Sequence, residues 1–144
     1  VSPAPSAEGG KAALAAAIDP YRTRLANDAM SFTTALLALA KHNAQQGGSF
    51  NETSPEDLAA LKALARWRAD GQHALLRVRG ASSSDPHDRK LAVRWLKALI
   101  AAVDLQRQAL SLVDPESAAA AARSAGKRMD EYFHLESRLE EALT

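Results

Sequence analysis

Four polar side chains fall where amphipathic helices should be apolar: Asp28, Arg68, Gln72 and Glu136. Projected at about 100° per residue, each lies inside the apolar arc of its segment. Glu136 is the sharpest case, set among Tyr132, Phe133, Leu139 and Leu143. Pairing the segments antiparallel puts Asp28 opposite Gln72, Arg68 one turn away and Glu136 within about one turn of the same height. Such a layer of two carboxylates, a guanidinium and an amide has a limited chemistry. The fork of Arg68 suits a carboxylate or phosphate, and Asp28 or Glu136 would take an amine. Inside an open cavity the same groups would stabilise a polar transition state electrostatically. With no ligand they would pair with one another to fix helix register, or snorkel to water, because a lone buried charge is costly. These four are the candidate ligand-binding residues. A second polar group, Asn43, Asp57, Gln106 and Arg107, collects near the first connection, and Tyr21 and Arg79 share a level near the other end.

Other chemistries find less material. Ser31, Thr33, Thr34 and Ser111 are ordinary helical hydroxyls with no Gly-x-Ser-x-Gly elbow. Gly47-Gly48 lacks the Lys-Ser/Thr that completes a phosphate-binding loop. Lys62, Arg66, His73 and Arg77 form a basic outer strip, but Asp70 interrupts it and no aromatic platform joins it, so nucleic acid is not expected. Glu131-Tyr132-Phe133-His134 has the Glu-x-x-His spacing and is similar to one ligand element of ferritin-like di-iron bundles. That resemblance implies two such elements and two further glutamates. The chain has one element, and His134 projects away from the apolar stripe. No catalytic residue, metal ligand or cofactor is therefore predicted.

The elements that must position these residues announce themselves. Asp19-Pro20, Ser54-Pro55, Asp85-Pro86 and Asp114-Pro115 each place a capping residue before a proline. Pro suits the first helical position, where its missing N–H is not needed, and Asp or Ser accepts from the free N–H groups of the first turn. Helices are predicted from about Lys11 to Gln46, Pro55 to Arg79, Pro86 to Val113 and Pro115 to Leu143. The first stripe (Leu14, Ile18, Tyr21, Leu25, Ala29, Phe32, Leu36, Leu39) keeps its phase across Pro20, so that segment is one kinked helix or a short helix stacked on a long one. The second inner face is read as Leu58, Leu61, Leu64, Ala65, Leu75 and Leu76. The third is Ala92, Leu96, Leu99, Val103, Leu110 and Val113. The fourth is Ala118, Ala122, Ala125, Met129, Tyr132, Leu139 and Leu143. Short connections force neighbours to run antiparallel, giving an all-α, up-down-up-down four-helix bundle over residues 11–144. Trp95 falls opposite Gly71 in this pairing, and Trp67 and Trp95 are read as packing residues.

Composition bounds the rest. A hydrophobic content of 47% with only 5% aromatics, dominated by Ala and Leu, favours helix packing over a sheet. Eighteen basic and 17 acidic residues leave a net charge of +1, so no field of one sign gathers nucleic acid or an anionic membrane. The absence of cysteine excludes disulfides and thiolate metal sites, and no apolar run spans a bilayer. Residues 1–10, rich in Pro, Ala, Ser and Gly, read as a flexible linker. With the start at Val1, this suggests an exported, periplasmic or envelope-attached domain whose signal or lipid anchor has been removed. The alanine run of Ala118 to Ala122 offers a flat flank for a homodimer. The expected function is a non-enzymatic helical-bundle module binding a partner protein or small polar ligand. A small helical enzyme built on the interior cluster is the alternative, and a ferritin-like metal bundle a more distant one.

Overall fold

In the computed structural model, residues 7–46, 54–82, 84–112 and 114–144 are described. They form α1 (Ala7–Gln46), α2 (Pro55–Gly80), α3 (Pro86–Ser111) and α4 (Pro115–Leu143), with no strand among the described residues. The all-α four-helix bundle expected from periodicity is the observed architecture.

Three of the four proline signals open a helix. Ser54 caps α2 by accepting from Asp57 N, Asp85 caps α3 by accepting from His87 N and Asp88 N, and Asp114 caps α4 by accepting from Ser117 N. Each satisfies a donor that no earlier carbonyl can reach. Pro20 instead lies inside α1, which is continuous rather than split. The stripe explains why: Leu14, Ile18 and Leu25 are all buried, so the packing of one unbroken face spans the proline. Helix α1 also begins at Ala7, four residues before the predicted start, so residues 7–10 are helical rather than linker. The linker expectation for residues 1–6 lies outside the described residues.

The core runs the length of the bundle. It is aliphatic at both ends and aromatic in the middle, where each helix contributes one ring: Phe32, Trp67, Trp95 and Tyr132. Trp95 and Tyr132 stack at 5.6 Å with planes 9° apart, Trp67 meets Tyr132 edge-on at 6.3 Å, and Phe32 sits 6.2 Å from Trp67. Trp67 and Trp95 are thus core residues.

The buried face of α2 is Ala60, Ala63, Leu64, Trp67, Gly71, Ala74, Leu75 and Val78. This corrects the predicted face, since Leu58 and Leu76 are exposed. The periodic leucines had centred the arc too far round. The true arc is centred on small residues and Trp67, which let α1 and α3 approach closely. Gly71 marks that approach. A Cβ there would lie 3.1 Å from Leu99 Cδ2. Its neighbour is therefore Leu99, one turn from the Trp95 predicted for it.

The helices do not close evenly. Helix α3 packs extensively on α4, α1 on α2, and α2 on α3, but the α1 and α4 backbones approach closely at only a few points. The last seam of the bundle stays open.

Candidate ligand groove between α1 and α4

The open seam holds a groove of about 530 Å³. Its α1 wall carries Ile18, Arg22, Thr23, Leu25, Ala26, Ala29 and Met30, and its α4 wall Tyr132, Phe133, Glu136, Leu139 and Glu140, with Trp95 of α3 at its floor. A second cavity of about 220 Å³ shares Ala29 and Phe133 with it and runs toward Phe32, Trp67 and Met129. The sequence builds the opening from unequal side chains. Alanines on α1 leave width, while Met30 and Phe133 border the space without filling it. Met30 is 69% and Phe133 49% exposed, so two large apolar groups border the same opening.

The polar groups of the groove converge near Trp95. Glu136 is half-buried, and burial, then the neighbouring Glu140 charge, push its carboxyl above the ordinary range. The Trp95 indole, Arg22 and the Tyr132 hydroxyl pull the other way. Tyr132 is buried, and its hydroxyl is held well above the normal phenol range by desolvation and by the Glu136 charge. Trp95 is 3% exposed, and its Nε1 makes no direct hydrogen bond although it faces Glu136. At the rim, Arg22 faces two acids, although its buried Nε makes no hydrogen bond. Its Nε lies 3.2 Å from Asp19 and its Nη1 3.9 Å from Glu140. No ion pair among the described residues includes Glu136.

The four residues predicted to share one layer separate in the structure. Glu136 lines the groove. Asp28 is 4% exposed, behind the groove. Its partner is Asp70 of α2, not Gln72. Burial first, then hydrogen bonding to Asp70 and the Asp70 charge, push its pKa up to about 7, with Arg66 and Arg24 opposing. Its Oδ2 is buried without a hydrogen bond. Arg68 leaves the layer altogether. It binds Asp104 of α3, with Nε 2.7 Å from Oδ1 and Nη2 3.4 Å from Oδ2, on the outer face of the bundle. Gln72 is exposed. The mis-centred α2 arc accounts for both errors, because correcting it moves Arg68 and Gln72 off the inner face.

Sequence reasoning missed Asp70 and Trp95 as members of the polar layer. Asp70 interrupts the basic outer strip in sequence, yet it lies three residues from Trp67 and so near the inner face. Trp95 had been read for its bulk alone, and its N–H was the overlooked signal. In the Glu-x-x-His element, Glu131 pairs with Arg128 at 3.2 Å and His134 is exposed. No cluster of three His, Asp or Glu side chains suited to a metal occurs among the described residues.

No helix among the described residues is long and apolar enough to cross a membrane. No protein-family model, curated protein or solved structure matches the chain.

Proposed function

We propose that this chain is a non-enzymatic binding module whose α1–α4 seam takes a small ligand with an apolar body and a polar end. The observation that carries this reading is the groove itself. Its volume lies within the range of small-molecule sites, its walls are mostly apolar, and a few polar groups converge at one place on its floor. Those groups are a carboxylate, a buried phenol and an indole, without a nucleophile and base in contact, which supports binding over catalysis. The enzyme alternative needed Asp28, Arg68, Gln72 and Glu136 around one cavity, and Arg68 and Gln72 face elsewhere.

The test uses Nile red, an uncharged apolar dye that brightens when it leaves water. Ala26 lines the groove but is exposed on α1, so Ala26→Trp fills the seam with little demand on the core. Saturable dye binding to the native chain, lost in Ala26→Trp with helicity unchanged, is expected. Equal binding to both proteins would place the dye elsewhere and defeat the assignment.

A further inference from the structure

We propose that the ligand of the α1–α4 seam is an amphiphilic organic cation, its ammonium held by Glu136 and its hydrocarbon body laid along Ala26, Ala29, Met30 and Phe133. The inference rests on the seam being a ligand site and adds the chemical class.

Charge is the first argument. Three charged side chains line this end of the groove, Arg22, Glu136 and Glu140, and Asp19 stands beside Arg22. The cation among them, Arg22, lies 3.2 Å from Asp19 and 3.9 Å from Glu140, and its buried Nε makes no hydrogen bond. Glu136 has no ion pair among the described residues, so the groove carries an excess of negative charge on its most enclosed carboxylate. An anionic ligand reaching Arg22 would sit among three carboxylates, Asp19, Glu136 and Glu140. A cation meets an unpaired carboxylate in surroundings that amplify the attraction.

The floor is the second argument. The buried Trp95 Nε1 near the carboxylate makes no hydrogen bond. Trp95 and Tyr132 stand on the protein side of Glu136, and both favour its charged form. This leaves the groove side of the carboxylate for a donor from the ligand. Phe133 supplies a half-exposed ring on the same wall, packed edge-on to Tyr132 at 5.1 Å, and the face of such a ring also attracts cations.

Shape is the third. The α1 wall runs from Ile18 to Met30, a distance of about 18 Å at ~1.5 Å per residue. Beyond the charged end the walls are apolar, and the smaller cavity extends the track past Phe133. An elongated chain with one charged end fits this distribution better than a compact polar metabolite.

Three ten-carbon probes differing only in the head group test the class: decylammonium, decanol and decanoate, each below its micelle concentration at pH 7. Binding is read by Trp fluorescence and by displacement of Nile red. Decylammonium should half-saturate the protein at a concentration at least about tenfold below decanoate, a difference of about 1.4 kcal/mol. Glu136→Gln should remove that preference. Glu131→Gln, which removes a carboxylate of α4 outside the groove, should preserve it. Decanoate binding as tightly as decylammonium, or a preference surviving Glu136→Gln, would overturn the cation assignment while decanol binding upholds the site. If no probe binds, the ligand reading of the seam fails with it. Light scattering supplies a further arm: a dimer abolished by Phe133→Asp would mean that a second copy covers the seam, and the proposal would be wrong.

Discussion

Asp28 and Glu136 are both carboxyl groups on inward-leaning helix faces, and both have their proton affinity raised chiefly by burial. Asp28 lies in the closed α1–α2 interface, where its neighbour is another acid, Asp70. Glu136 lies on the open α1–α4 seam, where donors stand behind it and a groove in front. A polar group in a closed interface must find its partner among fixed neighbours, and Asp28 finds an unfavourable one. In an unclosed seam the same group retains a free side. Packing thus decides whether an interior acid burdens stability or becomes available to a ligand.

The largest expected effect separates the floor of the groove from its lip. Trp95→Ala, which opens the aromatic layer, should destabilise by about 3–5 kcal/mol in chemical denaturation. Phe133→Ala removes a ring already half in water and should cost less than about 1 kcal/mol. Similar losses at the two sites would mean that the seam is packed like the rest of the core.

Next in size is the acid pair. Folding raises the Asp28 pKa from 3.8 to about 7, so the folded chain holds this proton more tightly than the unfolded one. Its contribution therefore disfavours folding increasingly as pH rises from about 4 to about 7, and is constant above that. The full difference is at most about 4 kcal/mol. Asp28→Asn cannot ionise and should be more stable than the native chain at pH 8 by about 1–3 kcal/mol, with the gain shrinking toward pH 4. Urea titrations of both proteins at the two pH values measure it. A constant gap between them would dissociate the acid pair from pH sensitivity.

Glu136→Leu should change stability by no more than about 1 kcal/mol, because the half-buried carboxylate has no ion pair to lose. A loss well above that would assign Glu136 a structural role in place of the open one argued here. Smallest of all is Gly126→Ala on the exposed side of α4. Nothing lies within 4 Å of the added methyl, so helix propensity alone should stabilise by about 0.5–1 kcal/mol. The same change at Gly71 meets Leu99 at 3.1 Å and should forfeit that gain.

Helix starts were legible because their signals are local. A cap and a proline specify the first turn whatever the rest of the chain does, and α2, α3 and α4 begin at the predicted residues. Asp19-Pro20 carries the same pair of residues but interrupts a stripe already in phase, and there packing prevails over punctuation. The burial of Asp28 and the inward position of Glu136 were also legible, because apolar residues lie one turn away: Leu25 and Phe32 for Asp28, and Tyr132, Phe133 and Leu139 for Glu136. What each faces across the bundle was not. Partner identity depends on the rotation of α2, which Leu58 and Leu76 misreport by being apolar yet exposed. The opening of the seam is a difference in spacing between helices, and it arises from summed side-chain volumes that no single segment displays.

The unequal closure of the bundle also has a consequence for motion. Helix α1 is held almost wholly by α2, whereas α2, α3 and α4 form a continuous packed series. Cooperative units of differing stability follow such divisions. Under native conditions the amides of α1 should exchange with deuterated solvent through an opening that leaves the other three helices protected. A ligand clasped between α1 and α4 would slow that exchange in the helix least joined to the rest of the ring.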